Sequence, residues 1–327
     1  MRVRTMCEIL FRFACRNRLS YLRLLCSMFG LLMCLFAGDS YCWQEEYEFV
    51  MEWGSAGSDT GQFNTPLGMG IDRNGHIYVC EMGNDRVQKF DSLGNFMLMF
   101  GSSGTGPGQF LCPRDVAIDD SGFIYVSDPC NCRIQKFDSS GSFVLAWGDT
   151  GAAPGEFEYC DGIAVDSSDY IDVADRVNGR IQKFDRMGNF VFQWFLKPDS
   201  SNFAATALAV GEGRVYVYNL SNPANIVCFD LAGNFILEWG GWGFAPSQFR
   251  LVEDLAADGT GDIYATDIWN RRVQKSDSSG KFITVWGTSG GGIGEFIDPY
   301  GVVVDSYGFV YVSDASRNRV LKFQKAN

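Results

Sequence analysis

Apolar and polar residues alternate along this chain in short bursts, separated by turns that carry glycine. The stretches Asp115–Asp119, Phe123–Asp128, Arg133–Asp138 and Phe143–Gly148 show a period of two, which predicts half-buried antiparallel strands. Between the first and second strand the turns read Asp-Arg-Asn-Gly (72–75), Asp-Asp-Ser-Gly (119–122) and Asp-Ser-Tyr-Gly (305–308). Between the third and fourth they read Asp-Ser-Leu-Gly (91–94) and, twice, Asp-Ser-Ser-Gly (138–141 and 277–280). Asp first and Gly fourth suits a type I turn, in which the carboxylate accepts backbone N–H groups and Gly takes a positive φ.

The four-strand unit recurs. Copies begin at Gln62, Gln109, Glu156, Asn202, Gln248 and Glu295, in steps of 47, 47, 46, 46 and 47 residues. Four strands per unit of about 40–50 residues describe the blade of a propeller, in which no unit folds alone. The last copy stops after its third strand, at Phe323-Gln-Lys-Ala-Asn327. A fourth strand stands before the first copy as Phe49-Val-Met-Glu-Trp-Gly54, matching Phe143–Gly148 and Phe282–Gly287. The sequence therefore predicts an all-β, six-bladed β-propeller of four-stranded antiparallel blades. The N-terminal strand completes the last blade and removes the free edges.

The recurring pattern F-x-x-P-x-G-V-A-V-D, then I-Y-V-S-D-x-x-N-x-R-V-x-K-F-D, resembles the NHL repeat family over residues 47–327, in five good copies and one degenerate one. The resemblance implies a six-bladed propeller that binds proteins, RNA or other ligands; a few relatives carry enzyme activity at the propeller's centre.

Charge narrows that list. The net charge is −12, but residues 1–38 contribute +5, so residues 39–327 carry −17. So acidic a body repels phosphate backbones, which disfavours nucleic acid. Lys89, Lys136, Lys183 and Lys275 repeat one blade position and form no patch.

Residues 1–38 lie outside the repeat. After an Arg-rich stretch come the 14 uncharged residues Leu24–Ala37, then Gly38 and Ser40. A membrane-spanning helix needs ~20 apolar residues and a signal-peptide core roughly 7–15. Residues 1–38 thus read as a signal peptide, with an uncleaved signal anchor as the alternative. Residues 39–46 read as a short linker, and 47–327 as the propeller. The expected location is secreted or extracytoplasmic, with any membrane contact made by the N-terminal segment alone.

Of 11 cysteines, four lie in the leader; Cys42, Cys80, Cys112, Cys130, Cys132, Cys160 and Cys228 remain. Cys112, Cys130, Cys132 and Cys160 gather on loops around the second blade, and export would let them form at least one disulfide. A four-thiolate zinc site is the weaker reading, because C-x-C lacks the usual ligand spacing.

The motif Asp-x-x-Asn-x-Arg recurs as Asp128…Asn131…Arg133, Asp175…Asn178…Arg180 and Asp267…Asn270…Arg272. Repetition in nearly every blade points to structure: Arg pairs with the carboxylate and Asn takes a left-handed turn conformation. Trp53, Trp147, Trp194, Trp239 and Trp286, with Phe100, recur likewise and are expected to pack blade against blade. The fourth copy departs from the motif at Asn219 and Asn225.

Variation marks the candidate site. Arg114, Asp115, Asp161, Glu253, Asp254 and Tyr300 replace what is Leu67-Gly68 in the first copy, and Trp269 shares a loop position with Val177 and Ser316. Diversified loops on a rigid scaffold are where ligands bind. With His76 as the one histidine, Ser-His-Asp and multi-histidine zinc chemistry are excluded. The reading is a binding module for a protein, peptide or glycan, monomeric, with no cofactor and no catalytic residues. The alternative is a calcium-assisted hydrolase, lactonase or lyase at the central channel, its ion held by Asp115, Asp161 and Asp254. A substrate-recognition ring of a ubiquitin ligase is a lesser one.

Overall fold

The computed structural model describes residues 45–196, 204–221 and 224–326. The leader, Cys42 and the linker into the fourth blade lie outside the described residues. Strand β1 is Tyr47–Trp53. Blade one is β2 to β5, at Pro66–Ile71, Ile77–Glu81, Arg86–Phe90 and Phe96–Phe100. Blade two is β6 to β9, at Val116–Ile118, Ile124–Asp128, Arg133–Phe137 and Phe143–Trp147. Blade three is β10 to β13, at Cys160–Val165, Ile171–Asp175, Arg180–Phe184 and Phe190–Phe195. Blade four is β14 to β17, at Ala205–Gly211, Arg214–Asn219, Asn225–Asp230 and Phe235–Gly240. Blade five is β18 to β21, at Val252–Ala257, Ile263–Asp267, Arg272–Ser276 and Phe282–Trp286. Blade six takes β22 to β24, at Pro299–Val304, Val310–Asp314 and Arg319–Lys325, and β1.

Each blade is a four-stranded antiparallel sheet, and the sixth runs β1-β24-β23-β22. The closure expected from the sequence is present: Tyr47 pairs with Lys325 and Trp53 with Val320. The first strands, β2, β6, β10, β14, β18 and β22, stand innermost and line the channel.

Aromatic residues seal blade to blade. Trp147 ends β9 in blade two, and its ring lies 5.7 Å from that of Phe184 in blade three. It also lies over the turn between β12 and β13, where a Cβ on Gly188 would stand 2.8 Å from the indole. The glycine of that turn thus serves two needs, a positive φ of 77° and room for the neighbouring blade's indole.

The repeated polar motif is structural, with one correction. Asp128 accepts from Asn131 at 2.8 Å and from the Arg133 Nε at 3.0 Å. Yet the left-handed residue is the one after the Asn: Cys132 at φ 50°, Arg271 at 55° and Gly179 at 65°. Pro129–Asn131 and Ile268–Asn270 form single 3-10 turns, and the following residue closes each by donating its N–H back to the turn's first carbonyl. The Asn side chain instead donates to the linker, as Asn131 does to the Gly104 carbonyl at 3.2 Å. The Arg reaches that linker too: Arg180 binds the carbonyls of Ala152, Ala153 and Glu156 at 2.8, 3.0 and 2.8 Å. Blade four lacks this staple and pairs Asn219 with Asn225 at 3.0 Å.

The cysteines require a second correction. Cys80, Cys112, Cys130, Cys132, Cys160 and Cys228 are all free thiols, so the expected disulfide is not present. The reason is orientation. Cys160 is fully buried at the start of β10, where its Sγ faces the Arg133 carbonyl at 3.4 Å. Cys132 caps the 3-10 turn, its Sγ 3.9 Å from the Glu158 carbonyl. Cys130 does approach Cys112, and its thiol is pushed up to about 11 by burial and by that neighbour.

Candidate functional site

The innermost strands share an irregularity that builds the site. Register shifts fall between Pro66 and Met69, Cys160 and Ile163, Ala205 and Leu208, Val252 and Leu255, and Pro299 and Val302. In blade two the ladder begins only at Val116. A bulge re-aims the residues that it frees from pairing. The first freed position is Leu67, Arg114, Asp161, Thr206, Glu253 and Tyr300 around the ring; the second is Gly68, Asp115, Gly162, Ala207, Asp254 and Gly301.

The first set converges at the channel mouth. The Arg114 guanidinium pairs through Nε with Asp161 in the next blade and through Nη2 with Glu253, at 2.5 Å. It also lies over the rings of Tyr300 and Tyr159, at 5.2 and 5.9 Å. Tyr300 donates its hydroxyl to Glu253 at 3.0 Å, and Arg176 adds a second cation to Asp161 at 3.4 Å. Leu67 packs with Tyr300 and Ile268, and Thr206 donates to the Val252 carbonyl at 3.2 Å. Burial opposes the charge on Arg114, but Tyr300, Asp161 and Glu253 outweigh it and hold the guanidinium protonated. Burial pushes Asp161 up to about 6 against the pull of Arg114. Two cations thus face two carboxylates, and the group closes on itself.

The second set sits just inside. Asp115 accepts the Val116 N–H at 2.8 Å and, across to blade three, the Ile163 N–H at 3.0 Å. Asp254 repeats this with Leu255 and, in blade six, Val302, both at 2.8 Å. Glycine at three of the other blades follows from crowding: a Cβ on Gly68 would stand 2.4 Å from the Asp115 carboxylate. Burial raises Asp115 to about 7, and raises Asp254 well above the usual carboxylate range, with the charge of Asp115 adding to it. Below them is a channel cavity of about 190 Å³, walled by residues such as Val116, Ile118, Leu208, Val210 and Val304.

The structure therefore brings together Arg114, Asp161, Glu253 and Tyr300, with Asp115 and Asp254 behind them. It does not arrange Asp115, Asp161 and Asp254 as calcium donors. Among the described residues no three His, Cys, Asp or Glu side chains are placed to hold a metal ion. Every carboxylate oxygen of Asp115 and Asp254 already accepts an N–H, and Asp161 is held by two guanidinium groups. Trp269 belongs to a different group, with Trp242, Phe244 and Arg250. Its companions were missed in the sequence. The signal was there: Trp242 stands where the other blades have Ala56, Ser103, Thr150 and Ser289.

The NHL repeat family model matches residues 110–137. No curated protein matches the chain. Among solved structures the chain is similar to a streptogramin B lyase at 13% identity and a TM-score of 0.62, covering 88% of this chain and 100% of that one. A gluconolactonase from Xanthomonas campestris aligns at 13% identity and a TM-score of 0.60, over 82% of this chain and 88% of that one. A catalytically inactive histidine-to-alanine variant of virginiamycin B lyase from Staphylococcus aureus, solved with quinupristin, aligns at 14% and 0.59, over 85% and 99%. At these identities the likeness is one of fold.

Proposed function

We propose that this chain is a binding module, exported or tethered by its N-terminal segment, that engages a protein, peptide or glycan through the loop face around Arg114. The observation that carries this reading is the closed network at the channel mouth. Arg114, Asp161, Glu253 and Tyr300 satisfy one another, so no carboxylate there stands free as a base or nucleophile. A lyase reading by analogy with the Staphylococcus aureus neighbour asks for a histidine, since loss of one inactivates that protein. The one histidine here, His76, sits in the turn after β2 with its Nδ1 2.9 Å from Asp72. That turn lies on the face opposite the variable loops.

The test presents the full chain to peptide and glycan arrays, and separately to aldonolactones and a cyclic depsipeptide. Saturable binding without turnover is expected. Turnover of either small substrate, lost in Asp161→Asn, would overturn the reading. Fractionation with N-terminal sequencing checks the export part; a cytoplasmic chain that begins at Met1 would contradict it.

A further inference from the structure

Blade five differs from its sisters at four positions that meet in space. Trp242 replaces Ala56, Ser103, Thr150 and Ser289, and Phe244 replaces Ser58, Thr105, Ala152 and Gly291. Trp269 replaces Gly83, Cys130, Val177 and Ser316, and Arg250 replaces Asn64, Leu111, Glu158 and Ile297. Repeats of one scaffold share what the fold needs, so a change this large against four sister blades is owed to something else.

The three rings are exposed, Trp242 and Trp269 by 52% each and Phe244 by 69%. Trp242 and Trp269 meet edge to face, with centroids 5.9 Å apart. The Arg250 guanidinium lies over all three, 5.5 Å from Trp242, 5.0 Å from Phe244 and 5.4 Å from Trp269. Arg86, Arg133, Arg180 and Arg272 each give their guanidinium to a carboxylate. Arg250 has none: its Nε is buried without an acceptor, and among the described residues no side chain pairs with it. A buried donor left unmet is costly, and a planar guanidinium fork matches a carboxylate in two bonds.

We propose that Arg250, Trp242, Phe244 and Trp269 form a docking site for an extended peptide segment of a partner protein that presents one Asp or Glu side chain flanked by apolar residues. This rests on the binding-module reading and narrows it. The carboxylate meets the unpaired guanidinium, and the flanking side chains cover the exposed rings; Trp and Arg are the side chains that carry protein interfaces. One face of each ring is taken by the cation, which counts against stacking of a sugar. A polyanion is repelled strongly by the −17 of residues 39–327, whereas a single carboxylate with apolar neighbours is repelled far less.

Two of the rings are exposed tryptophans, so fluorescence titration of the full chain reports on the site directly. The probe is N-acetyl-Leu-Glu-Phe-amide, against the same peptide with Gln in place of Glu. Saturable binding of the Glu peptide is expected, with the Gln peptide weaker by about tenfold or more. Arg250→Gln removes that preference, and Trp269→Ala weakens both peptides. Arg250→Lys, which keeps the charge without the fork, retains part of it. Circular dichroism of each variant establishes that it is folded. Equal binding of the two peptides overturns the proposal, as does binding of cellotriose in their place. A dimer by sedimentation that Trp269→Ala dissolves also overturns it, in favour of a second copy as occupant. Array ligands held with unchanged affinity by Arg250→Gln would sink this proposal while leaving the binding-module reading intact.

Discussion

Asp115 and Asp254 occupy the same bulge position three blades apart, and each carboxylate bonds the backbone of the blade that follows, at Ile163 and Val302. They face one channel; burial raises both, and the charge of Asp115 raises Asp254 further. The pair ties neighbouring blades by accepting N–H groups that the bulges leave unpaired.

This relationship sets a pH dependence. Asp115 is pushed to about 7, and Asp161 beside Arg114 to about 6, from an ordinary 3.8. For a raised carboxylate the stabilisation is full below the unfolded value and is lost as pH rises through the folded one. The turn aspartates act in the opposite sense. Hydrogen bonds hold Asp91 and Asp185 below the usual range, so their contribution is lost only in acid. Thermal stability is therefore expected to peak near pH 5 and to fall by roughly 2 °C or more between pH 5 and 8. Asp115→Asn lowers the midpoint but flattens that fall. A slope unchanged by the substitution, measured by scanning calorimetry, contradicts the assignment.

The turn glycines separate conformational strain from crowding. Gly75 and Gly188 have nearly the same φ, 79° and 77°, but a Cβ meets nothing within 4 Å at Gly75 and the Trp147 indole at Gly188. Gly75→Ala should cost about 1 kcal/mol, from backbone strain alone. Gly188→Ala should cost roughly 3 kcal/mol, because the indole cannot withdraw without opening the contact between blades. Urea unfolding of the two variants checks the difference, and equal losses would mean that the indole does not seal the blades.

Most of the fold was legible because nearly every blade repeats its turn aspartates, its closing aromatic and its staple, blade four being the exception. What a repeat cannot report is the direction in which a non-repeating side chain points. Arg114, Asp161, Glu253 and Tyr300 were recognisable as variable, but their meeting depends on bulges that place one residue per blade at the mouth. The cysteines were misread for the same reason. Cys112, Cys130, Cys132 and Cys160 share a region, yet Cys160 turns into the blade and Cys132 is committed to a turn cap. Trp242, Phe244 and Arg250 escaped because they lie in the linker ahead of β18, which has no strand period to show that their side chains meet Trp269.

The staple can be weighed against the blade that lacks it. Arg180 is almost fully buried and bonds Asp175, Gln193 and three linker carbonyls. Arg180→Lys keeps the charge but cannot reach five acceptors, and should cost about 3 kcal/mol. Among the described residues the Asn225 side chain in blade four meets only Asn219 and Glu238, so Asn225→Ala should cost roughly 1–2 kcal/mol. Equal costs in chemical denaturation would show that the linker bonds contribute nothing.

Closure depends on β1. This strand pairs with β24 along Tyr47–Trp53 and reaches both flanking blades. Tyr47 stacks on Trp286 at 4.2 Å and shares a hydrogen bond with Tyr264 in blade five at 3.0 Å, while Trp53 lies 6.0 Å from Phe90 in blade one. Glu52 pairs with Arg319 at 2.6 Å. Loss of residues 1–54 would therefore bare the edge of β24 and unseat aromatic contacts on both sides of blade six. Because each blade is held by its neighbours, the loss spreads through the ring rather than fraying one end. A chain starting at Ser55 is expected to unfold about 5 °C or more below one starting at Glu45, a loss of roughly 3 kcal/mol or more. It should also associate with rising concentration, as an exposed strand edge seeks a partner. Calorimetry and sedimentation read the two effects independently, and a monomer of unchanged midpoint would show that the ring does not need its closing strand.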